Sequence, residues 1–319
     1  MSKILDLKNV SITYKTNKRE VLAADDITFS IDQGQSVGIV GESGSGKSTL
    51  AMGILRLLPT DCSEITGEIL FNGKDLLKMT NEEFNELRWL DISVVFQKAM
   101  NTLSPIHKIG DQFEDIYRVH DKTSSKEQII KNIIEMLALV NLNERVLKLY
   151  PHELSGGMLQ RVSIALGLMH KPKVIVLDES TTALDVVTQT QILEEIKKLE
   201  RKLKMTRIMI THDMAVVASS CEKVIVLYAG RLMEFGYVKD VIKNPRHPYT
   251  IGLLNSYPTL KGEKTNLKGI EGSLPDLSER CPGCIFAARC DHATKKCFEE
   301  KPMPKTLEDG RVISCHLYN

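Results

Sequence analysis

Residues Gly41–Thr49 read GESGSGKST, which has the G-x-x-x-x-G-K-[ST] spacing of a phosphate-binding loop. An apolar run, Ser36–Val40 (SVGIV), precedes it and reads as a buried strand, and Leu50–Leu58, of helix-forming composition, follows it. Strand, glycine loop and helix together are the context in which the pattern carries chemistry. Gly41, Gly44 and Gly46, with Ser43 and Ser45 between them, let backbone N–H groups turn inward around a polyphosphate. The following helix adds its unsatisfied N-terminal donors and the positive end of its dipole. The β- and γ-phosphates of a nucleotide fit such a cradle, with Lys47 reaching their oxygens as a point charge and the Ser48 hydroxyl on Mg²⁺. A glycine-rich turn before an ordinary helix leaves the Lys-Ser pair in register unexplained.

Composition bounds what this loop belongs to. With 319 residues the chain has room for two domains with proper cores. Lys and Arg number 42 against 41 Asp and Glu, a net charge of +1, so no global electrostatic footprint for nucleic acid exists and none is expected as a partner. No apolar stretch is long enough to span a membrane, and MSKILDLKNV at the N-terminus lacks the apolar core of a signal peptide. A soluble, cytoplasmic protein is the expectation. Of seven cysteines, five (Cys281, Cys284, Cys290, Cys297, Cys315) crowd the C-terminal end, and in a reducing compartment that clustering points to metal rather than disulfides.

Upstream of the loop, Ile4–Tyr14 and Ala24–Ile31 alternate apolar and polar residues and predict two strands of an antiparallel edge, joined by the polar Lys15–Glu20. Tyr14 either fills a strand end or lays its ring over an adenine. Downstream, Gly67–Phe71 with Asn72-Gly73 predicts a hairpin, and Ile92–Phe96 a strand ending at Gln97, placed to face a nucleotide. Helical spacing runs from Ile109 to Leu149, interrupted by the polar turn Asp121–Ser125. It leads to Leu154–Arg161, where Ser155, Gly156 and Gly157 open a helix as a second anion cradle.

Lys173–Leu177 predicts a buried strand running into Asp178 and Glu179. Two adjacent carboxylates there call for a cation. Mg²⁺ at the phosphate loop suits Asp178, and Glu179 then polarises a water against the γ-phosphate. A polar turn carrying Asp185 follows, then a long helix over Thr188–Met205 and a strand over Arg207–Thr211 that ends at His212, read as a γ-phosphate contact.

Tyr14, GESGSGKST, Gln97, LSGGM (Leu154–Met158), VIVLDE (Val174–Glu179), Ala183-Leu184-Asp185 and His212 together resemble, in order and spacing, the ATP-binding cassette ATPases over roughly the first 240 residues. The resemblance implies an α/β fold: a phosphate-loop (RecA-like) mixed-sheet core, an antiparallel β-subdomain and a helical subdomain at about residues 98–165, within a nucleotide-binding domain at 1–243. It implies two cassettes closing head to tail around two ATP molecules. Tyr14 would stack on adenine, and Lys47, Ser48 and Thr49 would hold phosphates and Mg²⁺. Gln97 and Asp178 would address Mg²⁺ and water, Glu179 would be the general base and His212 would touch the γ-phosphate. Ser155, Gly156 and Gly157 would complete the opposite cassette's site, and Asp185 belongs to the same nucleotide-binding set. Ser180 departs from the proline usual after the glutamate, which implies an altered turn.

FQKAMNTLSP (Phe96–Pro105), TTALDVVTQTQIL (Thr181–Leu193), NPRHPYT (Asn244–Thr250), the Leu253–Pro258 segment and the cysteine tail resemble the ATPase subunits of dipeptide, oligopeptide and nickel importers. That implies ATP hydrolysis driving uptake of di- or oligopeptides, or of nickel or another small solute. The implied partners are two membrane permease chains, a second ATPase and, indirectly, an extracellular solute-binding protein, and the implied location is the cytoplasmic face of the membrane. A soluble ATPase of the superfamily outside transport would carry long coiled coils or tandem cassettes, and this chain has neither. A metal-binding regulatory module using the cassette as a nucleotide sensor would not need its full hydrolytic set.

Residues 244–319 are expected to form a small cysteine-rich, metal-binding extension. Cys284, Cys290, Cys297 and Cys315 are separated by five, six and seventeen residues, a spacing of neither the usual zinc pairs nor the tight ferredoxin run, which leaves Zn²⁺ and an iron–sulfur cluster both open. The G-C-x-F-x-x-R-C pattern at Gly283–Cys290 resembles tails of the subfamily that look like [4Fe–4S] binders. This implies those four cysteines as ligands and Cys281 as a bystander.

Overall fold

The structure, a computed structural model, describes residues 2–16, 19–96, 103–180, 184–256 and 269–319. The strands run in the order β1 (Lys3–Lys15), β2 (Glu20–Asp32), β3 (Ser36–Val40), β4 (Ser63–Phe71), β5 (Lys74–Asp75) and β6 (Ile92–Val95). They continue with β7 (Val174–Asp178), β8 (Thr206–Ile210), β9 (Lys223–Tyr228), β10 (Arg231–Tyr237), β11 (Lys305–Thr306) and β12 (Val312–Ile313). The helices are α1 (Lys47–Ile54), α2 (Asn81–Leu87), α3 (Ile109–His120), α4 (Lys126–Leu139) and α5 (Gly156–Leu168). After them come α6 (Val186–Leu203), α7 (Met214–Ser220), α8 (Val238–Lys243), α9 (Pro248–Asn255) and α10 (Lys295–Glu299). Two compact units divide these elements.

One unit comprises Ser2–Ile31, Ser36–Leu77 and Ile210–Asn319. Its first sheet has the order β2-β1-β4-β5. Along β1 the inward residues change phase, from Leu5 and Leu7 to Val10 and Ile12. A register shift between Lys8 and Ser11, with Asn9 at φ 51°, absorbs the slip and keeps one face apolar. The Asn72-Gly73 turn, both residues at positive φ, closes the β4–β5 hairpin as its dipeptide predicts.

The unit's second run of strands is ordered β11-β12-β10-β9-β3. β3 pairs with β9 in parallel, whereas β9–β10, β10–β12 and β11–β12 are antiparallel. The sheet is therefore mixed, and its far strands come from the C-terminal end of the chain. Among the described residues of 244–319, buried apolar side chains share a core with the earlier strands. Tyr249, Leu253, Cys284, Ile285, Phe286 and Ala287 are buried in one cluster with Val40, Val217, Val226 and Tyr228. Tyr228, Tyr249 and Phe286 meet ring to ring at 4.7–5.3 Å between centroids, a contact worth about 0.5–1.5 kcal/mol per pair beyond burial.

The other unit comprises Asp32–Gln35 and Lys78–Met209. Its strands are ordered β8-β7-β6, with β6 and β7 parallel and buried on both faces, hence the unbroken β-branched runs. Its helical part is α3, the turn at Asp121, α4 and α5. Asp121 accepts from the Thr123 and Ser124 N–H groups at 3.0 Å, and Ser125 and Gln128 form a capping box that starts α4. Helix α2 has no counterpart in the sequence reading, although Thr80 and Glu83 make a capping box that marks its start.

Candidate functional site

In the first unit, the site is built where β3 ends. All five residues of β3 are buried, so the chain leaves the core at Gly41 with its backbone already fixed. Gly41, Gly44 and Gly46 have φ of 153°, 81° and 91°. At Gly41 and Gly46 a Cβ would overlap the carbonyl oxygens of Leu227 and Ala23, so glycine is required there sterically as well as by φ. Lys47 is buried, and its Nζ donates to the carbonyl oxygens of Gly41 (2.9 Å) and Glu42 (2.8 Å), which arches the loop. Helix α1 follows Gly46, which offers no side-chain cap, and has no acidic residue in its first turn, an electrostatic setting that suits an anion at the helix start. Ser43, Ser48 and Thr49 lie at least partly exposed and Ser45 is buried.

His212 is in the same unit and is brought to this end of the sheet. The N–H of Thr211, its neighbour, donates to Ile39 O at 3.2 Å, two residues before Gly41. Asp213 caps α7 by accepting from Ala215 N–H, which fixes the chain just after His212. Tyr14 is half-buried near the end of β1, paired with Ser63 of β4.

Sequence reasoning missed a second set of residues around the loop. Glu42 donates its N–H to the Tyr249 hydroxyl at 2.9 Å, and its carboxylate oxygens lie 3.0 and 3.2 Å from NH1 of Arg289. Arg231 is held by Asp25 at 2.7 Å and donates to the carbonyls of Gly283 and Cys281. Arg289 lies in the Gly283–Cys290 stretch singled out for its cysteines, but nothing local announces a partner 247 residues away.

In the second unit, β7 delivers Asp178 buried at its end and Glu179 half-buried with φ 45°. A non-glycine residue held in the left-handed region stores about 1–3 kcal/mol, and such residues cluster at active sites. Ser180 follows, buried, its Oγ without a hydrogen-bond partner among the described residues. Ser155 caps α5 by accepting from Met158 N–H, and it is exposed together with Gly156. A Cβ on Gly157 would come 3.6 Å from Leu184, so the Ser-Gly-Gly turn and the Leu184-Asp185 corner are neighbours. Asp185 itself caps α6 through Thr188, whose side-chain hydrogen bond leads those that pull the carboxyl below its usual range. Gln160 ties α5 to Phe96 O, the last described residue before Gln97. Gln97 lies outside the described residues, as do Ala183 and the whole of 97–102, 181–183 and 257–268.

At the C-terminal end, Cys284, Cys290, Cys297 and Cys315 line one cavity of about 60 Å³, and Cys281 does not. Burial pushes the Cys284 thiol up to about 11 and raises Cys290 and Cys315 as well. His247 borders the same cavity, and burial pushes it down to about 4. Among the described residues, no three His, Cys, Asp or Glu side chains are close enough to hold a metal ion as they stand. Nor is any described helix long and apolar enough to cross a membrane.

Known proteins resemble the chain over nearly its whole length. Residues 24–182 match the family described as ABC transporter, and residues 233–297 match the oligopeptide/dipeptide transporter C-terminal region. The oligopeptide transport ATP-binding protein OppD of Escherichia coli is 42% identical over 98% of this chain and 92% of its own. The dipeptide transport ATP-binding protein DppD of Caldanaerobacter subterraneus is 41% identical over 100% and 98%. Among solved structures, the dimeric cassette MJ0796 bound to ADP and Pi aligns at a TM-score of 0.67 with 31% identity, covering 73% of this chain and 98% of that one. CbiO1 of Clostridium perfringens, part of the transporter complex cbiONQ, aligns at 0.62 with 27% identity, covering 76% and 92%.

Proposed function

The chain belongs to the ABC transporter ATPase family, and from that premise we propose that it is the ATP-hydrolysing subunit of an importer of oligopeptides or dipeptides. One observation carries the substrate class: the match to peptide-transport ATP-binding proteins runs end to end and includes the C-terminal region particular to them. As an ATPase of this family the chain binds ATP with Mg²⁺ and hydrolyses it.

Within that reading, Lys47 and the α1 N-terminus hold the β- and γ-phosphates, and Ser48, Gln97 and Asp178 serve Mg²⁺. Tyr14 covers the adenine and His212 contacts the γ-phosphate. Glu179 is the general base, and Mg²⁺ held by Ser48, Gln97 and Asp178 would withdraw charge from the phosphates. Its left-handed backbone, fixed by the buried strand before it, supports a side chain aimed for a task rather than for packing. Ser155, Gly156 and Gly157 serve a second cassette, and the exposure of Ser155 and Gly156 at the start of α5 suits that role, while Asp185 belongs to the nucleotide-binding set. The assembly is then two permease chains with two ATPases, a different ATPase being the expected partner, on the cytoplasmic face of the membrane. Glu179→Gln tests the centre: nucleotide binding should persist while turnover in the assembled transporter falls about 10²–10⁴-fold. Turnover at the wild-type rate removes Glu179 from the role.

The tail supports a finer reading. We propose that Cys284, Cys290, Cys297 and Cys315 hold a [4Fe–4S] cluster, with Zn²⁺ the alternative occupant of the same ligands. The four thiols that line one cavity are those the resemblance implies as ligands, and Cys281 stays outside it. Such a cluster supplies a one-electron redox centre and a staple for a short, loop-rich segment. Anaerobically purified protein should be brown with about four irons per chain. Colourless protein with one zinc would keep the ligands and remove the cluster.

A further inference from the structure

We infer that Arg289 is a positioning residue for nucleotide binding, neutralising and tethering Glu42 inside the phosphate loop. The inference rests on the reading of that loop as the triphosphate site. A glutamate as second residue of a phosphate cradle is an anion beside a polyanion, and its uncompensated charge opposes the ligand. Arg289 meets it with NH1 at 3.0 and 3.2 Å from the two carboxylate oxygens.

The guanidinium has little freedom to do anything else. Nε donates to Glu271 O at 2.8 Å, NH2 to Ile270 O at 2.9 Å, and NH1 also to the Tyr228 hydroxyl at 3.1 Å. It lies over the Tyr228 ring at 5.5 Å, and only 7% of the side chain is exposed. A charge that buried and that fully hydrogen-bonded holds its direction.

Glu42 is held at every polar group. Its N–H goes to Tyr249, its carboxylate to Arg289, and its carbonyl oxygen accepts from Lys47 Nζ and from Ser45 N–H. Tyr249 and Arg289 both come from the C-terminal region, and Arg289 immediately precedes Cys290, which lines the cysteine cavity. The folded tail thus sets both the charge and the backbone course of the phosphate loop.

The test measures binding of ATP and of ADP to the purified full-length chain, and kcat and KM in the assembled transporter. Arg289→Gln should weaken nucleotide binding about tenfold, leave kcat at saturating ATP within about twofold, and raise KM in step. Glu42→Gln with Arg289 intact should tighten binding severalfold, because the guanidinium then faces the phosphates uncompensated. The double variant Glu42→Gln/Arg289→Gln should return affinity to within about twofold of wild type, which a merely structural arginine would not allow. Arg289→Lys, which keeps the charge without the fork, should fall between. Unchanged affinity in Arg289→Gln, or a double variant as weak as the single, overturns the inference. Should Arg289→Gln not fold, Glu42→Gln decides, and equal or weaker binding there overturns it. If the wild-type chain binds no ATP, the ATPase reading fails instead.

Discussion

Gly46 shows what a single residue has to satisfy in this loop. It stands at φ 91°, and a Cβ would overlap the carbonyl oxygen of Ala23. Gly46→Ala therefore combines left-handed strain with a backbone clash, and unfolding in urea should show a loss of about 3 kcal/mol. Nucleotide binding should vanish with it, and an alanine variant of native stability would refute the steric argument. This residue was legible in the sequence because its neighbours in the chain are its partners in the chemistry. Glu42 was not, because Tyr249 and Arg289 reach it across the sequence, and no local pattern distinguishes a glutamate held by arginine from one that faces water. Glu179 falls between: its identity was readable from VIVLDE, its left-handed backbone only from the structure.

Among elements, helices α3 and α4 and the turn between them followed from apolar periodicity and the polar run that interrupts it, while the short, polar α2 gave no periodicity to read. Side chains that meet across elements were again invisible. His170, just past α5, packs on Tyr117 of α3 at 4.8 Å and meets His120 edge-on at 5.5 Å between centroids. Burial lowers the pKa of both histidines; for His170 the His120 charge adds to it, and the Ile116 backbone and Asp121 oppose it. The unfolded chain then takes up protons near pH 6.5 before the folded one does. Their contribution is fully present above that value and is lost as pH falls below it. Urea midpoints should drop between pH 7.5 and 5.5, and His170→Gln should flatten that drop. An equally steep drop in the variant would locate the effect elsewhere.

For the whole molecule, the sequence suggested a cassette followed by a C-terminal extension; Tyr249, Leu253 and residues 284–287 are buried with Val40, Val217 and Tyr228, and β12 pairs with β10. Composition shows where a tail begins but not whether its apolar residues pack on themselves or on what came before. A chain ended after residue 243 should expose Tyr228, Val226 and the β10 edge and aggregate, measured by size-exclusion chromatography. A soluble, monomeric 1–243 fragment that melts cooperatively would contradict this. At the same scale, the exposed Ser155 and Gly156 lead us to expect hydrolysis that needs a second cassette. Specific activity of the isolated chain should rise with its concentration or with added partner ATPase, and a flat dilution series would count against pairing.

The buried pair of Glu234 and Arg311 bears on how the protein is made. Glu234 has no exposed surface, and besides Arg311 it accepts the N–H groups of Arg246 and His247. Arg311 is 77 residues further on, so at about 5–20 residues per second it is translated about 4–15 s after the carboxylate it must meet. Until it emerges from the ribosome, β10 lacks β12, and an acid destined for the interior has no counter-charge. Final burial of Glu234 therefore waits for Arg311 to be made. A chain stopped or cut before Arg311 is left with a carboxylate facing the interior without its guanidinium and with β10 unpaired by β12, the kind of open edge that invites aggregation.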